Sequence, residues 1–192
     1  LSGGIIAQQG ISPQLHLLLM IPLILVLTIL ILGRFDPAPA RTGGNSDAPK
    51  FARPTAGIMA LVAVTLAAMA MEGGYMDWSV IYMDSIYDSV PFVAALAVTF
   101  GALAQGITRY FADGFVERYS PTLVARVLLG IMTIGILLVF FPISEWTSLA
   151  GFALLGIGSS AIFPLAMSAA AQRTDRPAAA NVAALAQTSF VT

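Results

Sequence analysis

The sequence predicts an all-α polytopic membrane helix bundle, and three observations carry that prediction. The 192 residues are 58% hydrophobic and only 10% charged, whereas soluble domains carry roughly 25% charged residues. The apolar residues gather into runs of about 20, the length a helix needs to cross a bilayer. All nine Lys and Arg residues fall in or beside alternate turns between these runs. That sorting is the signature of successive spans whose basic turns share the cytoplasmic side. A β-barrel does not fit, because barrel strands alternate over about 10 residues and these runs are longer and apolar on every side.

The spans are read in order along the chain. Residues 1–10 read as the tail of an earlier helix, with an outer turn at Gly10 to Pro13. The first full run covers 15–33 and contains Pro22, which membrane helices tolerate when neighbours satisfy the freed carbonyl. Residues 34–54, with Pro37, Pro39, Gly43, Gly44 and Pro49, read as a linker. The second run starts near Thr55, meets Glu72-Gly73-Gly74 and continues through Tyr82. The third covers about 91–110, the fourth 122–141 and the fifth 147–171 with Pro164 inside it. A sixth begins near Ala178 and stops at Thr192. The basic turns are 34–54, 112–121 and 172–177; the turns 84–90 and 142–146 lie on the other side. Trp78, Tyr82, Tyr87 and Trp146 then fall near the outer interface, where amphipathic rings are favoured. The chain begins without Met and ends inside an apolar run, as an internal segment of a longer membrane protein would.

Composition narrows the chemistry. There is no cysteine and a single histidine, which excludes thiolate and multi-histidine metal sites. No Gly-Lys-Ser/Thr phosphate loop is present, so nothing supports ATP-driven work. The net charge is −1, and the basic residues are accounted for by topology, so no nucleic-acid partner is expected.

Two constellations stand out. The first is Glu72-Gly73-Gly74-Tyr75-Met76-Asp77-Trp78-Ser79. Glu72 lies about 25 Å along a helix from Thr55, in the outer part of a ~30 Å core. A carboxylate at helix centre costs about 2.5–3.5 kcal/mol on insertion scales, so its retention points to a water-filled cavity, a bound solute or a carried proton. The diglycine is expected to break or bend the helix, and broken helices line transporter cavities. The bland alternative ends the helix at Gly73 and leaves Glu72 and Asp77 wetted at its mouth. Tyr75, Trp78 and Tyr82 recur at helical spacing, as an aromatic wall for an organic solute or as an interfacial belt.

The second constellation runs from Arg109 through Asp113, Glu117 and Arg118 to Pro121, in a tight basic-side turn. Its charges can pair between helix ends and hold one conformation; as exposed pairs they would contribute little. Ala102 with Gly106, and Gly156 with Ser160, are small-xxx-small pairs that allow close helix approach. Ser159, Ser160 and the Pro164 kink read as a bending point or as small-residue packing with hydroxyls bonded to the preceding turn. Asn181 and Gln187 face a cavity or bond between helices. His16 reads as interfacial.

The stretch from Arg109 to Arg126 resembles the short cytoplasmic loop of the major facilitator superfamily, Gly-x-x-x-Asp-Arg-x-Gly followed by basic residues. Glu117-Arg118-Tyr119-Ser120 occupies its Asp-Arg-x-Gly part, with Glu for Asp and Ser for Gly. The Glu72–Trp78 stretch and the run from Gly156 to Pro164 are similar to the seventh and tenth helices of a bacterial, sugar-permease-like or uncharacterised branch of that superfamily. The resemblance implies an incomplete bundle of about five full spans plus a truncated sixth. Residues 1–33 would be the end of the first six-helix half, 34–54 the cytoplasmic linker, and 55–192 the second half, helices 7 to 10 and part of helix 11.

The chain is expected to belong to a secondary active transporter of the plasma (inner) membrane. It would move a small organic solute by alternating access between two halves, coupled to protons, as a monomeric unit in the lipid bilayer, with no cofactor and no enzymatic step. Glu72, Asp77, Tyr75, Trp78 and Asn181 would form the solute or proton site; Arg109, Asp113, Glu117 and Arg118 would form a cytoplasmic gate. A non-transporting receptor or scaffold is the alternative. An intramembrane enzyme with Ser159 or Ser160 and His16 is a weaker one, since those residues fall on distant spans.

Overall fold

Residues 5, 9–10, 12–32 and 53–191 are described by the computed structural model. The expected linker, apart from Arg53 and Pro54, most of the expected first-helix tail and the His16 side chain lie outside the described residues. Among the described residues seven helices appear in chain order: α1 Pro13–Leu32, α2 Ala56–Tyr87, α3 Pro91–Arg118, α4 Pro121–Phe140, α5 Glu145–Ser159, α6 Ile162–Ala171 and α7 Ala178–Val191. Four segments among the described residues are long and apolar enough to cross a bilayer: α2, α3, α4 and the α5–α6 pair. Among the described residues every element is helical.

Local chemistry sets the ends. Pro91 and Pro121 open α3 and α4, where a missing N–H costs nothing and the fixed φ suits a first turn. Ser120 caps α4 by accepting from the Leu123 N–H at 3.2 Å. Ser144 and Thr147 form a reciprocal capping box on α5, satisfying two first-turn donors. At the end of α2, Asp88 turns left-handed at φ 53°, a conformation that Asp tolerates better than bulkier residues.

The long helices depart from the expected boundaries in three places. α2 runs unbroken through Glu72-Gly73-Gly74, so the expected break is absent. Two glycines cost about 1 kcal/mol each in helix propensity, too little to interrupt a helix of this length held by packing. Glu72 therefore sits at the middle of α2, not towards one end. α3 continues through Asp113 and Glu117 to Arg118, leaving only Tyr119 and Ser120 as the turn. The expected fifth span is two helices, broken at Ser160–Ala161.

Pro164 explains that last break. A continuous helix would have the residue-164 N–H donate to the Ser160 carbonyl, and proline has none. The Ser159 and Ser160 hydroxyls instead turn back onto the Gly156 and Ile157 carbonyls, at 3.3 and 2.6 Å.

α5 is the hub, packing on α2, α3 and α4, while α6 and α7 pack on α2. α1 touches no other described helix, and those of its side chains that are described are exposed almost throughout. Between membrane helices, attraction comes from van der Waals contact at close range, and glycine supplies the approach. A Cβ on Gly156 would run into the backbone of Gly101. A Cβ on Gly135 would lie 2.8 Å from the Gly151 carbonyl. Ala102 and Gly106, the other small pair, face outward, and a Cβ at Gly106 would meet nothing.

Three apolar clusters stack along the bundle. One joins Tyr75, Met83, Ala97, Met132, Leu149 and Phe152. A second joins Ala68, Ala112, Leu128, Ala161 and Ile162 around the α5–α6 break. The third joins Ile58, Val62, Ala166, Ala170 and Leu185 at the basic end.

Candidate functional site: a mid-helix ion pair at a broken helix

The buried face of α2 carries Ile58, Val62, Thr65, Ala68, Tyr75, Ser79 and Met83. Glu72 falls in the gap of this stripe, four residues after Ala68 and three before Tyr75, so helical periodicity aims it inward. The buried face of α3 carries Ala94, Ala97, Gly101, Gln105 and Ala112, and Arg109 falls in the matching gap. The helices run antiparallel, so the two gaps meet.

Arg109 Nη2 lies 3.9 Å from Glu72 Oε1, close enough for charge attraction and too far for a hydrogen bond. Arg109 Nε donates to the Ser160 carbonyl at 2.7 Å, the carbonyl that Pro164 leaves without its helical donor. One turn along, the Tyr75 hydroxyl donates to Gln105 Oε1 at 3.1 Å. That bond fixes the Gln105 amide and leaves its Nε2 buried with no partner among the described residues. The Arg109 side chain is 51% exposed and that of Glu72 27%. A Cβ at Gly73 or Gly74 would meet nothing, so the adjoining face of α2 is open.

The expected residues sort differently here. Glu72 and Tyr75 belong to one cluster, but Tyr75 is 1% exposed and acts through its hydroxyl, not as an open aromatic wall. Asp77 and Trp78 project away from the packed face of α2 and are exposed. Arg109, expected in the turn with Asp113, Glu117 and Arg118, lies more than two turns deeper and joins Glu72. Asp113 and Glu117 are exposed, and neither makes an ion pair among the described residues. The Arg118 guanidinium sits 5.9 Å from the centre of the Tyr119 ring, a cation–π contact.

Asn181 is not near Glu72. It sits in a polar knot that ties the start of α2 to the α6–α7 turn. Its Nδ2 donates to Asp175 Oδ1 at 3.0 Å. Thr55 Oγ1 donates to Asp175 Oδ2 at 2.9 Å, and Arg173 pairs with the same oxygen at 3.1 Å. Arg176 Nη1 donates to the Arg53 carbonyl at 2.7 Å. The bonds from Arg173, then from Thr55, hold the Asp175 carboxyl down at about 2. A depressed carboxyl contributes stability above its unfolded value near 3.8, lost as pH falls towards about 2. Asp175→Asn is expected to speed hydrogen exchange at the start of α2 at pH 7. An exchange rate there equal to wild type would mean the knot does not hold the helix end.

The opposite end carries a second stitch. α4 ends at Phe140, which frees the Val139 carbonyl, and the Tyr82 hydroxyl donates to it at 2.6 Å. Tyr87 and Ser148 share a hydroxyl contact at 2.9 Å, and the Ser89 hydroxyl donates to Glu145. Tyr82 and Tyr87 thus turn into the bundle, while Trp78 and Trp146 face outward.

A cavity of about 530 Å³ opens between α3 and α4, walled by Ile107, Phe111, Phe115, Leu123, Val127 and their neighbours. Its lining holds no ionisable group other than the Tyr119 hydroxyl, and the Glu72–Arg109 pair lies outside it.

Membrane-length apolar helices that carry a partly exposed ion pair at mid-height define a multi-pass membrane protein. The sequence model of the Major Facilitator Superfamily matches residues 1–191, and the chain belongs to that superfamily. It is 32% identical to an uncharacterized transporter of Sinorhizobium fredii over 142 residues, 74% of this chain and 38% of that protein. It is 27% identical to an uncharacterized MFS-type transporter of Yersinia pestis over 191 residues, 95% of this chain and 49% of that protein. The chain thus spans less than half the length of these curated relatives. No solved structure gives a significant match.

Proposed function

We propose that this chain is part of a secondary active transporter that moves a small organic solute by alternating access, with protons as the coupling ion. The observation that carries the reading is the Arg109 bridge, from Glu72 at the middle of α2 to the carbonyl freed at the α5–α6 break. A charge held at mid-membrane is costly, and here it is linked to the span interrupted at Ser160–Ala161. A change in the Glu72 charge therefore alters the hold of Arg109 on that break. Binding a proton and moving a helix share one side chain.

The test is solute uptake by the full-length protein in liposomes, with an inward proton gradient and then with the gradient collapsed by an ionophore. Uphill accumulation that vanishes with the gradient is expected. Accumulation that survives collapse would exclude proton coupling, and no uptake over a broad solute panel would exclude transport.

The basic end, with Arg118, Arg126, Arg173 and Arg176, is proposed as cytoplasmic, in the plasma membrane, with a monomer as the transport unit. Asp113, Glu117 and Arg118 are proposed as gate residues, since they stand exposed on the last turns of α3. Neutralising Asp113 or Arg118 should then raise labelling of a cysteine placed on the cytoplasmic side of the cavity. Unchanged labelling would remove the gate.

A further inference from the structure

The arrangement of donors around Arg109 restricts what the site can hold. Nε is committed to the Ser160 carbonyl, which orients the guanidinium plane. Nη1 and Nη2 donate to nothing among the described residues, and Glu72 stops 3.9 Å short. A planar edge with two free, parallel donors is matched by a carboxylate, which accepts both at once.

Charge balance points the same way. With Glu72 ionised, the pair is neutral. When Glu72 takes a proton, the guanidinium is left without a counter-charge, in a place where an uncompensated charge is expensive. Among the described residues, the other ionisable groups nearby do not supply one. The Tyr75 hydroxyl is turned to Gln105, and Asp77 lies exposed on another face of α2. A neutral polyol would leave the site at +1, and so would an ammonium ion bound to the ionised Glu72. A monocarboxylate arriving as Glu72 is protonated restores zero, so the empty and the loaded site carry the same net charge.

We propose that the solute of this site bears a carboxylate, bound at the Nη1–Nη2 edge of Arg109 in place of Glu72. The inference rests on the transport reading, but its test is a binding experiment. The purified full-length protein is mixed with acetate, pyruvate, benzoate, succinate and alanine, each beside its methyl ester, and with glucose, and binding is followed by calorimetry. At least one carboxylate is expected to bind while its ester does not. Arg109→Lys, which keeps the charge and loses the fork, should weaken that binding about tenfold or more. Glu72→Gln, which removes the internal competitor, should strengthen it, a gain that misfolding cannot produce. Circular dichroism confirms that both variants fold.

Binding by none of the acids, or equal binding of acid and ester with no effect of Arg109→Lys, overturns the proposal. Carboxylate binding without any uptake would sink transport and leave this assignment standing. Proton-driven uptake of glucose, indifferent to Arg109→Lys, would do the reverse.

Discussion

Full-length protein carrying Glu72→Gln is expected to fold and bind solute but to lose uphill accumulation. One pH unit across a membrane can support about tenfold accumulation per coupled proton, since a pK unit and a tenfold ratio are the same free energy. The variant should level at a ratio of about one. Its glutamine keeps the shape and hydrogen-bonding reach of the glutamate while removing the proton site, so counterflow between labelled and unlabelled solute should persist. Loss of both activities together would point to a broken bundle, and wild-type accumulation would remove Glu72 from the coupling step. The prediction rests on the position of Glu72 in the packed stripe of α2, opposite Arg109, which separates it from a wetted acid at a helix mouth.

Gly156→Ala should be among the most damaging single-methyl changes in the chain. The added carbon falls on the backbone of Gly101, which cannot rotate aside as a side chain would, so α3 and α5 must separate. Overpacking in closed cores costs typically about 1–3 kcal/mol, and α5 is the hub on which α2, α3 and α4 all pack. Little monodisperse protein should be recovered. The matched control is Gly73→Ala, where a Cβ meets nothing and helix propensity alone should add about 1 kcal/mol. Thermal unfolding in detergent compares them, and equal midpoints for the two variants would refute the packing argument.

Hydropathy and charge sorting were enough to expose the membrane class, because lipid imposes length and composition on every span at once. The family signal likewise extends over the whole chain. Helix continuity was harder to read, because Gly73-Gly74 and Pro164 both look like breaks in a string of letters. The diglycine only weakens a helix that packing restores, whereas Pro164 removes a donor that no packing can return. The site was half legible. Glu72 announced itself by its cost in lipid. Arg109 was hidden among neighbouring charges, and assigning it to a turn overlooked its spacing from Gly101 and Gln105, which places it on the small-residue face of α3. Asn181 admitted two readings, cavity or hydrogen bond, because a polar residue on an apolar helix signals burial without naming its partner. That partner, Asp175, is close in sequence to Asn181, but Thr55, which shares it, lies 120 residues from Asp175.

The stitching at the two ends has a mechanical consequence. Near one end, tyrosine and serine hydroxyls tie α2 to α4 and α5; at the other, Asp175 ties α2 to the α6–α7 turn. Between these fastenings lie an interrupted span, two adjacent glycines and an ion pair held at arm's length. A torque applied to the two ends would therefore be felt at mid-height, where the Ser160–Ala161 break and the 3.9 Å gap between Glu72 and Arg109 leave room to give.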